Sequence, residues 1–315
     1  MKISKKIIRE ILEIYELGKV KKIKLIEGGN INHNFVFTTN KGEYIVRFLG
    51  YKLDKYWEKQ KELEFKVLNY LIDEKFPYDL PRFIKNKQGD YISNLDNYLI
   101  EVYPRLKGNN IIILNDKNIK EMAKALATYH KAMKNYKIPK DFKKLDNYEW
   151  ISEELNDMKR IKPKNYLDKL MLDNINIFIN ALKLKNKIKI EGLLIVHSDF
   201  HKYNLLFNKE KLTGILDFEN LTYGPRIRDL FFEKDNFSHS LLFINEYNKH
   251  NKLSKEEIDS LVKQKILRNC YSFRWAYRGT MKNTNKRVEM LKDTINKCKR
   301  YLEFDKVLKK EFKSS

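Results

Sequence analysis

The residues best suited to chemistry fall in two neighbouring stretches. These are Val196-His197-Ser198-Asp199-Phe200-His201-Lys202-Tyr203-Asn204 and Gly214-Ile215-Leu216-Asp217-Phe218-Glu219. Asp199 can orient a hydroxyl and receive its proton. Asn204 and Asp217 offer the hard oxygen donors that Mg²⁺ prefers. A proton acceptor beside hard metal ligands is what phosphoryl transfer to an alcohol requires. The same residues would also suit a polar loop whose Asp and Asn serve turns. The occurrence of all three in order, each at an end of an apolar run, favours the chemical reading.

Those residues need rigid elements behind them. Leu193 to Val196, Asn204 to Phe207 and Leu212 to Leu216 are short apolar runs bounded by turn residues, which predicts buried strands. Upstream, Lys21 to Glu27, Phe35 to Thr39 and Tyr44 to Leu49 read as further strands, and a seventh runs from Asn97 to Tyr103 until Pro104 and Gly108 stop it. Gly28-Gly29 is the one adjacent glycine pair in the chain. Glycines let backbone N–H groups approach phosphate oxygens, so Gly28 and Gly29, with Asn30 and Asn32 just after, are candidate nucleotide contacts. Arg47 is a single basic residue inside an apolar strand. Helical spacing appears at Ile3 to Leu17, Leu53 to Lys75, Asp116 to Tyr136 (capped by Asp116), Tyr148 to Arg160 and Tyr166 to Leu184. It continues through most of Glu233 to Lys313, where Tyr247, Tyr271, Phe273, Trp275 and Tyr277 read as core. His130 falls on an apolar helix face and reads as a core histidine.

The order His-x-Asp-x-x-x-x-Asn followed by Asp-Phe-Glu resembles the catalytic and metal loops of the protein-kinase-like fold. It looks most like the aminoglycoside phosphotransferase and choline kinase superfamily, to which type II homoserine kinases belong. Tyr223-Gly224-Pro225-Arg226-Ile227-Arg228-Asp229-Leu230 matches that superfamily's G-P-x-x-x-D-L segment. The resemblance spans about residues 19–300 and is specific at 197–230. It implies an α+β, two-lobed fold: a small antiparallel-sheet N-lobe over 1–105 that binds nucleotide, and a mostly helical C-lobe over 106–315 that carries catalysis and substrate. It implies ATP and Mg²⁺ as cofactors, Asp199 as the catalytic group, and Asn204 and Asp217 as metal ligands. Arg47 takes the place of the lysine that holds the α- and β-phosphates, with Glu64 or Glu62 as its helix partner. Glu101 and Tyr103 fall in the hinge strand, where backbone groups meet adenine. Glu219 would assist the metal, His197 and Asp229 would brace the loop, and Ser198 stands where glycine is usual.

The formal charge of +22 and a pI near 9.6 raise a nucleic-acid reading. The lysines are scattered through almost every segment, as in a solvated surface, with no dense basic stripe, so nucleic acid is not the expected partner. The alternatives are an aminoglycoside kinase, a catalytically silent kinase-like scaffold and a basic nucleic-acid-binding protein; Asp199, Asn204 and Asp217 together argue against a silent site. No apolar run approaches a membrane span, and Cys270 and Cys298 lack metal spacing. The expectation is a cytoplasmic enzyme acting on a nucleotide and a small hydroxylated substrate. The positive charge disfavours a polycationic acceptor. Glu153, Glu154 and Asp157 could meet a cationic acceptor but read rather as a solvated face; Glu233, Asp235, Glu246, Glu256, Glu257 and Asp259 have Lys and Arg around them, and an acceptor with its own carboxylate could use Arg226 or Arg228.

Overall fold

The structure, a computed structural model, describes residues 3–26, 32–143, 149–183, 192–230, 233, 236–279 and 284–313. In chain order the elements begin with α1 (Lys5–Ile14), β1 (Val20–Ile26), β2 (His33–Thr39), β3 (Glu43–Phe48), α2 (Lys55–Asp73), β4 (Ile92–Leu95) and β5 (Tyr98–Pro104). Then come α3 (Asp116–Lys134), α4 (Glu149–Lys159), α5 (Tyr166–Lys183), β6 (Leu193–Val196), β7 (Leu205–Asn208), β8 (Lys211–Ile215) and β9 (Thr222–Pro225). The chain finishes with α6 (Phe237–His250), α7 (Lys255–Arg278) and α8 (Thr284–Lys313). They form two compact units, 1–114 with 201–221, and 115–200 with 222–315. The first unit thus takes in the β7–β8 hairpin, which a division at residue 105 leaves with the second part.

In the first unit the strands run in the order β1-β2-β3-β5-β4, all antiparallel. Alternation sorts their side chains by face. Phe35, Phe37, Val46, Phe48, Ile100 and Val102 bury one face against Ile7 and Ile11 of α1. Val36, Ile45 and Tyr103 line the other. Arg47 shares the parity of Ile45, and the register sets Asn34, Arg47 and Glu101 side by side across three strands. Helix α2 starts at Asp54, whose carboxylate accepts the Tyr56 and Trp57 N–H groups at 3.0 Å, and buries Leu63, Val67, Leu68 and Leu71. In the hairpin, Leu216 N–H donates to the Asn204 carbonyl at 2.8 Å, so Asn204 lies beside the end of β8.

In the second unit β6 pairs with β9. The expected cap of α3 moves by one residue: Asn115, not Asp116, accepts the Asn118 N–H at 3.0 Å, because the Asn115 and Asn118 side chains satisfy each other's backbone reciprocally. Of the late aromatics, Tyr247 and Phe273 are core as expected, whereas Trp275 is 43% exposed. Trp275 lies on the partly solvated side of α7, and its helix neighbour Arg274 lies over Trp150. Among the described residues no helix is long and apolar enough to cross a membrane.

Candidate functional site

The first unit gathers a buried charge cluster on the Arg47 face of the sheet. Arg47 Nη1 lies 3.3 Å from Glu101 Oε1, 3.6 Å from Asp217 Oδ1 and 3.9 Å from Glu219 Oε2. Its Nε donates to Asn34 Oδ1 at 3.1 Å, and its guanidinium lies over the Tyr103 ring. Burial opposes the charge, but Tyr103, Glu101, Asp217 and Glu219 hold it well above the ordinary arginine value. Arg47 Nη1, Glu101 Oε1 and Asp217 Oδ1 are nonetheless buried without a hydrogen-bond partner. These are long, loose contacts in a place where buried charge is costly.

The helix partner expected for Arg47 is not where the resemblance puts it. Glu62 is exposed and pairs with Lys66. Glu64 is buried, and the Lys61 ammonium binds it at 2.8 Å and Glu101 at 2.8 Å. Lys61 therefore stands between Glu64 and Glu101, and Arg47 meets the strand glutamate instead of the helix one. Burial opposes the Lys61 charge, yet Glu101 and Glu64 keep its pKa above the usual lysine range. Four carboxylates (Glu64, Glu101, Asp217 and Glu219) surround two cations (Arg47 and Lys61), a surplus of two negative charges. The surplus shows on Glu64, which burial pushes up to about 7, and on Glu219, which burial and then Asp217 push up.

Asn32 ties into the same cluster: its Nδ2 donates to Glu219 Oε2 at 2.9 Å, and its Oδ1 accepts the Gly50 N–H at 3.1 Å. Gln60 of α2 donates to the carbonyls of Glu219 and Leu221. Asp217 adopts φ +64°, a left-handed backbone at a non-glycine residue, a conformation found where surrounding structure forces it, often at functional sites. Asn204, at the end of a short 3-10 turn, is buried. Gly28, Gly29 and Asn30 lie outside the described residues. Lys61 escaped the sequence reading, although Lys61, Glu64, Leu68 and Leu71 follow one helical stripe, and a Lys-x-x-Glu pair extending an apolar stripe is a readable signal.

The second unit holds Asp199 on the loop after β6. The loop backbone is clamped by Asp229, whose Oδ2 accepts the His197 N–H at 2.8 Å and whose Oδ1 accepts the Ser198 N–H at 2.7 Å. His130 Nε2 adds a third contact at 3.0 Å, and its Nδ1 meets Tyr247 Oη at 2.7 Å, so His130 is a satisfied core histidine. Burial raises the Asp229 pKa, but the His130 bond, the charges of His130 and His197 and the His197 N–H outweigh it and hold it at about 2. His197 Nδ1 in turn accepts the Asp199 N–H at 3.3 Å. Ser198 sits at φ +64°, which accounts for glycine being usual there. Its carbonyl accepts from Arg268 and its Oγ is buried without a partner. Arg268 was not singled out from sequence; Leu261, Lys265 and Arg268 recur at helical spacing on α7, basic residues on an apolar face.

A small antiparallel sheet with its helix, joined to a mostly helical unit, is the architecture of the protein-kinase-like fold. A crystal structure of spectinomycin phosphotransferase, in complex with ADP and spectinomycin, matches with a TM-score of 0.70 at 18% identity, over 97% of this chain and 99% of that one. The microcompartment-associated aminopropanol kinase matches with a TM-score of 0.70 at 14% identity, over 96% and 98%. Residues 22–236 match the phosphotransferase enzyme family, and the chain belongs to that family. Homoserine kinase from Zymomonas mobilis subsp. mobilis is 23% identical over 269 residues, which is 81% of this chain and 80% of that protein.

Proposed function

We propose that the chain is an ATP-dependent small-molecule kinase that moves the γ-phosphate to the hydroxyl of a small acceptor: an amino alcohol, an amino acid such as homoserine, or a sugar. The observation that carries this reading is the charge cluster of the first unit. Two uncompensated negative charges, and a buried Asp217 oxygen without a hydrogen-bond partner, suit a divalent cation. Among the described residues no three His, Cys, Asp or Glu side chains converge as a protein-only metal site. That agrees with Mg²⁺, which is commonly bound by one or two protein oxygens together with substrate phosphates. Asp217 and Asn204 are the residues that would hold it. When bound, Mg²⁺ neutralises charge on the phosphates. Arg47 brings unused guanidinium N–H to the same place, suited to phosphate oxygens. Asn32 keeps Glu219 in position, and Glu101 holds Arg47 and Lys61. Asp199 orients the acceptor hydroxyl and receives its proton.

A small acceptor is favoured over an aminoglycoside because most of the second unit's candidate carboxylates are already engaged. Glu154 is paired with Arg274, Asp157 with Arg160, Glu233 with His239, Glu246 with Lys249 and His250, and Glu257 with Arg226. A polycation needs several that are not. The net charge of +22 adds long-range repulsion. Homoserine, choline, simple sugars and kanamycin-type drugs, assayed side by side for ADP release, test the reading. Asp199→Asn is expected to lower turnover by roughly 10²–10⁴ while Mg-ADP still raises the melting temperature. Near-normal turnover in that variant removes Asp199 from the chemistry. A far higher kcat/KM for the drug replaces the acceptor class.

A further inference from the structure

We propose that Arg228, Lys265 and Arg268 of the second unit form an anion subsite beside the Asp199 loop, and that it takes the carboxylate of the acceptor. The substrate class is then a hydroxylated carboxylic or amino acid, not an amino alcohol or an aminoglycoside. The inference rests on the kinase reading above and narrows it.

Three observations converge. First, hydrogen bonds tie the groups to Ser198 and to one another. Asp229, next to Arg228, accepts the Ser198 N–H, Arg268 donates to the Ser198 carbonyl, and Lys265 donates to the Arg228 carbonyl at 2.9 Å. Asp199 is the residue that follows. Second, among the described residues none of the three cations forms an ion pair with a carboxylate. Arg228 Nε is buried without a partner, and so is Ser198 Oγ, on a residue only 3% exposed. Two residues away, Arg226 shows what a committed arginine looks like here. It makes a bidentate pair with Glu257, 2.7 Å on each arm, and donates to the Asn251 side chain and the Lys252 carbonyl. Arg226 is therefore excluded as an acceptor ligand and Arg228 is not.

Third, the positive charge is in surplus. Among the described residues the carboxylates that offset it are Asp229 and Asp199, and Asp229 already accepts from His130, His197 and Ser198. Burial and then Arg268 drive the Lys265 pKa down to about 7, and burial and then Arg228 lower that of Arg268, with Lys297 adding to the repulsion on Lys265. Clustered buried cations with spare donors are costly unless an anion completes them. An arginine pair with a hydroxyl nearby matches a carboxylate's planar oxygens. The cations adjoin the loop of Asp199, the residue assigned to the acceptor. The residues assigned to nucleotide and metal belong to the other unit.

Matched pairs that differ by one carboxylate decide it: homoserine against 3-amino-1-propanol, serine against ethanolamine, glycerate against ethylene glycol. ADP release with Mg-ATP is measured for each, alongside the melting temperature with 10 mM of each compound, about the concentration that saturates weak acceptors. The expected result is that the best acceptor carries a carboxylate and exceeds its decarboxylated partner in kcat/KM by roughly 10²-fold or more. Arg228→Gln should raise KM for that acceptor by roughly 10–100-fold, the worth of a charged hydrogen-bonded contact, with kcat changed far less. The discrimination within the pair should collapse, and Arg228→Lys should restore part of it. Among the described residues Arg228 makes no side-chain hydrogen bond or ion pair, so its replacement is expected to leave the protein folded even where Arg268→Gln does not. Equal or better use of the decarboxylated partner overturns the subsite. So does the absence of turnover and of any melting shift with every carboxylate while Mg-ADP still stabilises the protein, and in that case the kinase reading stands. Failure of Mg-ADP and Mg-ATP to shift the melting temperature removes the kinase reading instead. The subsite then survives only if a carboxylate compound stabilises the wild type and not Arg228→Gln.

Discussion

At the scale of the residue, Ser198 carries a cost with no visible structural return. A left-handed backbone at a residue with a Cβ costs about 1 kcal/mol relative to glycine, and its Oγ is buried without a partner. Ser198→Gly should therefore raise the free energy of unfolding by about 1–2 kcal/mol, read from urea denaturation without ligand. An unchanged or lower stability would mean that Oγ is satisfied in solution. The hydroxyl earns its place only if it meets the acceptor, and then the stabilised variant should bind acceptor less well, a trade of stability against function. The sequence showed that serine replaces the family's usual glycine, but not why it matters. The sign of φ depends on the Asp229 clamp, which joins residues 31 and 32 apart in the chain.

At the scale of the element, α2 and the sheet are joined by the Lys61 ammonium. Lys61→Met should destabilise the protein by roughly 3–5 kcal/mol, because it leaves Glu64 buried without its cation and Glu101 with Arg47 alone. The double replacement Lys61→Met with Glu64→Leu should recover much of that loss, since the uncompensated carboxylate goes with the lysine. A loss under about 0.5 kcal/mol, the size of an ordinary surface substitution, would show that water or protonation replaces the ammonium. Most strands and helices were readable from apolar periodicity, as were the loop holding Asp199 and the order of Asn204 and Asp217 behind it, but the short polar strands β4 and β9 were not. The partner of Arg47 was not. A helical stripe reveals which residues share a face but not which charge across the sheet it meets, and that depends on the register Arg47↔Glu101. Nor did periodicity show that Arg226 is engaged while Arg228 is spare, because both follow the same Gly-Pro turn and only the approach of α7 distinguishes them.

At the scale of the whole molecule, pH acts through two routes of the same sign. The net charge of +22 shrinks as pH rises toward a pI near 9.6, which relieves self-repulsion. Lys265 adds a local route. Its folded pKa of about 7 lies below the ordinary 10.5 because burial, Arg268, Lys297 and Arg228 outweigh Asp229. A lysine with a depressed folded pKa binds its proton more tightly when unfolded, so stability rises with pH between the two values and levels off below 7, where both states are protonated. From pH 8 to 9.5 this single group should add about 2 kcal/mol to the free energy of unfolding. Starting at pH 8 leaves out Glu64, whose pKa of about 7 acts in the opposite direction at lower pH. Salt separates the routes: surface repulsion is screened within about 10 Å at 0.1 M salt, whereas a buried lysine is screened much less. Urea denaturation at both pH values, at 0.05 and 0.5 M salt as roughly weak and strong screening, should show a rise that persists at high salt in the wild type and is lost in Lys265→Met. A rise that vanishes in high salt, or that survives the substitution, would assign the whole effect to the surface and leave Lys265 an ordinary, hydrated lysine.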